Sequence, residues 1–139
     1  MTLASPVVLT TALVTILAII LYYFMGMKVG SLRVKHNVKA PATTGAPEFE
    51  RAFRVQMNTL EHLPVFFAVL WLAVLYFAWL PWLVPVIGLI WIIGRALYMD
   101  SYLKDPEKRG PGFGICAASE VLLLILALIG IVDAWIFLA

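Results

Sequence analysis

The sequence predicts an all-α integral membrane protein, a bundle of four transmembrane helices in one domain spanning residues 1–139. Three observations predict it. Of 139 residues, 63% are hydrophobic and 13% are charged, whereas a soluble domain is about half apolar and about a quarter charged. The apolar residues gather in long runs broken by Pro- and Gly-containing connections. All ten Lys and Arg residues lie between Lys28 and Arg109, in two connections that share one side of the membrane if four helices cross it. The positive-inside rule places that side in the cytoplasm and both termini opposite, in a bacterial inner membrane or the endoplasmic reticulum.

The first predicted span covers about residues 6–34. Its apolar run, Val7 to Met27, is roughly 30 Å long as a helix, enough for the hydrocarbon core. Pro6 suits a first turn. The run has no basic leader and no small-x-small cleavage site, so it reads as a span and not as a signal peptide. Gly26 and Gly30 near its end either admit a close helix contact or are incidental.

Lys39 to Pro47 reads as a loop from its Pro and Gly content. Glu48 and Glu50 then sit where a helix dipole favours acids, at the start of a second span expected over about 48–79. No charge interrupts Leu63 to Gly94. As one helix that stretch would be roughly 48 Å, too long for a core of about 30 Å. Pro81 and its flanking tryptophans divide it, with the third span at about 82–104. Pro64 and Pro85 are candidates for kinks. Trp82 to Gly94 is roughly 20 Å of helix, which brings Arg95 to the inner edge of the bilayer or inside it. Arg109-Gly110-Pro111-Gly112 reads as a turn, and the fourth span follows at about 113–138.

The polar residues at the basic end carry the functional signal. Arg51, Arg54, Asn58 and Glu61 stand at i, i+3, i+7 and i+10, within about a quarter of a helix circumference at about 100° per residue. His62 adjoins that stripe. Arg95, Tyr98 and Tyr102 repeat the i, i+3, i+7 spacing. One Arg near a headgroup layer is ordinarily a snorkelling charge, and one Tyr an interface anchor. Two stripes in so apolar a chain are costly unless they pair or hold a polar ligand.

The remaining polar residues read more plainly. Gln56 points to the opposite side of its helix, toward a neighbouring subunit or a hydrogen bond with another helix. Arg33, Lys35 and Lys39 alone are positive-inside residues, and Arg109 alone is a solvated loop charge. Glu120, inside the last span, is a functional group or, the preferred reading, the partner of an Arg on another helix. Asp133 is placed near the outer surface.

Several classes are excluded. The formal charge of +2 is too small for nucleic-acid binding. The single cysteine, Cys116, permits no intrachain disulfide, and nothing reads as a metal cluster. Cys116 itself reads as a small buried residue, because no base is placed near it. Several Arg and Tyr donors beside lipid instead suit a polar anion that carries a nucleophile, presented to an apolar substrate from the bilayer. A guanidinium beside a thiol favours the reactive thiolate. Glutathione has the matching groups: two carboxylates, a thiol, and an amine that Glu61 would accept.

The run Glu48-Phe49-Glu50-Arg51-Ala52-Phe53-Arg54-Val55-Gln56-Met57-Asn58-Thr59-Leu60-Glu61 resembles the helix-two signature of the MAPEG family, membrane-associated proteins of eicosanoid and glutathione metabolism. Pro41 to Pro47 and the spacing of Arg95, Tyr98, Tyr102 and Arg109 resemble the same family, and the similarity covers nearly the whole chain. It implies a homotrimer of four-helix subunits with a glutathione site at each interface, near the cytoplasmic side. Carried over by position, Arg54, Asn58, Glu61, Tyr98 and Tyr102 bind glutathione, with Arg51 and Arg95 supporting or lining the site. The resemblance draws Arg33 and Gln56 from the neighbouring subunit and makes Arg109 the residue that stabilises the thiolate.

Two positions depart from the leukotriene-forming branch: Val34 stands for a second arginine, and His62 for a tyrosine that contacts glutathione there. They set this chain apart from leukotriene synthesis. The Asn58-Thr59-Leu60-Glu61 run is similar to the general glutathione transferases, which implies conjugation of lipophilic electrophiles, with glutathione peroxidase activity toward lipid hydroperoxides and no metal. Two other readings remain open within the family, a non-catalytic lipid-binding helper and a glutathione-dependent isomerase.

Overall fold

The computed structural model describes residues 5–138. It consists of four long helices in up-and-down order: α1 (Pro6–Lys35), α2 (Pro47–Tyr76), α3 (Leu83–Lys104) and α4 (Gly110–Leu138), with a 3-10 turn at Pro106–Arg109 before the last. All four are long and apolar enough to cross a membrane. Each is flanked by exposed aliphatic and aromatic side chains, among them Leu13, Ile20, Leu75, Ile93, Val121 and Val132. Such a lateral surface is stable against lipid or another subunit and unstable against water. The chain is an integral membrane protein.

Local chemistry sets the helix ends. The Ser5 side chain accepts from the Val8 amide, and Pro6 opens α1 without losing a needed donor. Pro47 opens α2, followed by Glu48 and Glu50 in its first turn. At the far end of α1, the Glu48 carboxylate accepts from Lys35 Nζ at 2.7 Å and lies 2.9 Å from His36 Nε2. That contact closes the α1–α2 connection. Pro64 lies inside α2 and leaves the helix unbroken.

Two boundaries differ from expectation. Helix α2 ends at Tyr76, not near 79, and the six residues 77–82 make the connection to α3. The expected Arg109–Gly112 turn is mostly helix, because Gly110 and Pro111 open α4 directly behind the 3-10 turn. Pro111 occupies the first turn, where no intrahelical donor is lost. Glycine there serves packing: a Cβ on Gly112 would lie 2.4 Å from the Tyr98 backbone nitrogen. Only a residue without a side chain lets α4 approach α3 this closely.

The core lies between the middles of the helices. Phe66 of α2 stacks on Trp91 of α3 at 3.9 Å between ring centroids with an interplanar angle of 6°. Both rings are fully buried, beside Val14, Leu70, Val84 and Leu123. Such a pair contributes about 0.5–1.5 kcal/mol beyond its buried area. It fixes α2 against α3 one turn from the polar residues described next.

Candidate glutathione site

The C-terminal end of α3 and the N-terminal half of α2 meet at the basic end of the bundle. A cleft of about 360 Å³ opens there, lined by Pro47, Glu50, Arg51, Arg54, Tyr102 and Pro106. Three of the predicted residues, Arg51, Arg54 and Tyr102, therefore share one concave surface. The carbonyl of Pro106 accepts from Arg109 Nη1 at 3.0 Å. That bond tethers the exposed Arg109 to a residue that lines the cleft.

Below the cleft the polar groups lock together. Arg95 is wholly buried, and its Nη1 donates to Asn58 Oδ1 at 2.9 Å. Its guanidinium lies 5.1 Å from the ring centroids of both Trp91 and Tyr98, close enough for cation–π attraction from each. Arg95 Nε and Nη2 find no hydrogen-bond partner, nor does Arg51 Nε. Buried guanidinium donors are expensive to leave unmade. The Tyr98 and Tyr102 rings approach to 5.5 Å. Glu61 takes Asn58 Nδ2 at 3.5 Å and lies 3.6 Å from Arg54 Nη1, with both charged side chains about half exposed. Arg54, Glu61, Asn58 and Arg95 are thus one linked polar group across two helices.

Three predicted residues stand elsewhere in the chain. Arg33 donates to the Ala42 carbonyl at 2.8 Å and stacks over Phe49 at 4.7 Å, so it ties down the α1–α2 connection. Gln56 lies against α1, where a Cβ on Gly26 would come within 3.1 Å of its Nε2. Gly26 therefore does admit a close contact, while Gly30 has open space. His62 turns toward α4. Its Nδ1 lies 3.0 and 3.1 Å from the two Glu120 oxygens, and its ring meets Phe113 edge-on at 5.7 Å.

The preferred reading of Glu120 needs correction. It has partners on other helices, but they are His62 and the Trp91 indole, which donates to it at 2.8 Å. Arg95 is committed to Asn58 instead. Trp91 was given no role by the sequence, although its place one turn before Arg95 was a usable signal. Cys116 is fully buried, with its Sγ 3.5 Å from the Trp91 carbonyl. Asp133 accepts from the Trp79 indole at the opposite end of the bundle. Among the described residues, no three His, Cys, Asp or Glu side chains gather in a metal-holding group.

Comparison with known proteins places the whole fold in a family. The MAPEG family model matches residues 11–129. Human microsomal glutathione S-transferase 2 is 38% identical over 125 residues, covering 90% of this chain and 84% of that protein. Leukotriene C4 synthase of Cavia porcellus is 36% identical over 120 residues, covering 86% and 79%. An uncharacterized protein of Synechocystis is 42% identical over 120 residues, covering 86% of each. With the family model spanning most of the chain and all four helices in place, this protein belongs to the MAPEG family.

Proposed function

We propose that the protein is a membrane-bound glutathione transferase that joins glutathione to lipophilic electrophiles entering from the bilayer. The observation that carries this reading is the meeting of Arg51, Arg54 and Tyr102 in one cleft above the buried Arg95, whose Nε and Nη2 lack acceptors. A carboxylate supplies the acceptor such donors need, and charge-assisted bonds of this kind are the strong ones. Relatives named as a glutathione transferase and a leukotriene C4 synthase support the same co-substrate.

In this reading Arg51, Arg54 and Arg95 hold the glutathione carboxylates, and Glu61 accepts from its amine. Asn58, Tyr98 and Tyr102 complete the pocket, with His62 behind it against α4. Arg109 stabilises the thiolate. Glutathione gives up its thiol proton to solvent, and the sulfur lone pair forms a C–S bond as the leaving group departs with its electron pair. With a lipid hydroperoxide, the thiolate attacks the terminal oxygen, the O–O bond breaks, and the alkoxide takes a proton to give the alcohol. A second glutathione then reduces the sulfenic acid, releasing water and the disulfide. The active assembly is a homotrimer, in which Arg33 and Gln56 reach the neighbour's glutathione, and the site faces the cytoplasm.

Purified protein in detergent should bind glutathione by calorimetry and form a conjugate with a generic aromatic electrophile. Failure to bind at millimolar glutathione would point to a lipid-binding helper. Binding with isomerised product and no conjugate would point to an isomerase.

A further inference from the structure

Glu120 is one of two acids in α4, the other being Asp133 nearer its far end. The Glu120 side chain is 11% exposed, and a buried carboxylate is costly unless hydrogen-bonded. It is held by two donors from two other helices: His62 Nδ1 of α2 at 3.0 Å and Trp91 Nε1 of α3 at 2.8 Å. A carboxylate only accepts, so the pair sets the imidazole tautomer with the proton on Nδ1 and leaves Nε2 for another partner.

Both donors lead back to the cleft. His62 is one helical turn from Asn58, and Trp91 is one turn from Arg95, on whose guanidinium it presses. Asn58 and Arg95 are themselves joined at 2.9 Å. The contacts therefore run from His62 through Glu120, Trp91 and Arg95 to Asn58, across three helices, and one turn of α2 joins the two ends of that chain. Core packing alone does not need a carboxylate at this position, because leucine or methionine of similar volume would fill it without desolvation cost.

We propose that Glu120 is a positioning residue for the glutathione site, orienting His62 and holding Trp91 so that Asn58 and Arg95 present fixed polar groups to the co-substrate. The proposal rests on the reading of this cleft as a glutathione site. It assigns Glu120 no contact with glutathione or electrophile, and so it acts on binding more than on the chemical step.

The test is the glutathione KM and kcat of reconstituted protein carrying Glu120→Gln, Glu120→Leu, His62→Ala, and His62→Ala combined with each. Loss of hydrogen bonds to a charged acceptor predicts that E120L raises the glutathione KM about tenfold, while kcat falls by less than that. E120Q keeps the shape and one acceptor oxygen, so its KM should fall between wild type and E120L. Because Glu120 acts partly through His62, the paired variants should lose less than the product of the single losses. Should E120L fail to fold, the near-isosteric E120Q and its pair with H62A carry the same comparison. A wild-type KM in E120Q, or losses that multiply independently, would overturn the assignment. Wild-type protein that binds no glutathione would instead remove the underlying reading of the cleft, which calorimetry on the unmodified protein decides separately.

Discussion

The two ends of this bundle each carry a cavity of similar size, and only one gathers arginine donors that lack acceptors. At the basic end about 360 Å³ is lined by Arg51, Arg54, Tyr102, Glu50 and two prolines. At the opposite end about 300 Å³ is lined mainly by Tyr76, Trp79, Phe137 and small residues, with Asp133 as the one charged group. Asp133 is answered locally by the Trp79 indole. At the basic end Arg95 and Arg51 keep buried donors with no acceptor. Volume alone therefore does not mark a site in a membrane protein. Convergent donors with no acceptor of their own do, because low dielectric makes each of them costly.

The comparison breaks most sharply at Arg109. Arg109→Ser should lower conjugation turnover by about 100-fold or more, the loss typical of removing one donor from a developing or resident anion. Glutathione affinity should remain within about threefold, since removing Arg109 leaves Arg51, Arg54 and Arg95 in place. Turnover with substrate saturation, beside calorimetric affinity, checks both halves.

Arg54→Ala should act on the other quantity. Removing a charged donor from the cleft wall should weaken glutathione binding roughly tenfold, corresponding to about 1.5 kcal/mol, with a smaller change in kcat at saturation. Gly112→Ala tests the scaffold beneath. Its Cβ would meet the Tyr98 backbone at 2.4 Å, so α4 must move away from α3, at about 1–3 kcal/mol. The expected result is a lower thermal midpoint together with weaker glutathione binding. A normal midpoint would mean that the helices adjust freely there. The smallest effect belongs to the opposite end: Asp133→Asn should leave glutathione affinity and turnover within about twofold, because a neutral acceptor still serves the Trp79 indole. A larger loss would mean that the two ends are coupled.

How much of this was legible in the sequence follows from the range of each signal. Four spans were legible because hydropathy accumulates over some twenty residues and tolerates local error. Their ends were less so. Arg109-Gly110-Pro111-Gly112 has the composition of a turn, yet Pro111 opens a helix and Gly112 serves a contact with Tyr98 fourteen positions earlier. The α2 stripe was legible because one helix sets the spacing of Arg51, Arg54, Asn58 and Glu61. Contacts between helices were not. Glu120 and His62 are 58 positions apart, and their pairing depends on the rotation of α2 and α4, which periodicity does not fix. The same holds for Gln56, whose placement against Gly26 depends on how α1 and α2 face one another.

In the proposed mechanism the basic end binds glutathione as a thiolate held by Arg109. The most direct measurement is the ultraviolet difference spectrum of the detergent-solubilised protein as glutathione is added, for wild type and for Arg109→Ser. Wild type should show a saturable thiolate band at neutral pH, and the variant should bind without that band. Binding with no thiolate band in wild type, or an equal band in both proteins, would contradict that mechanism.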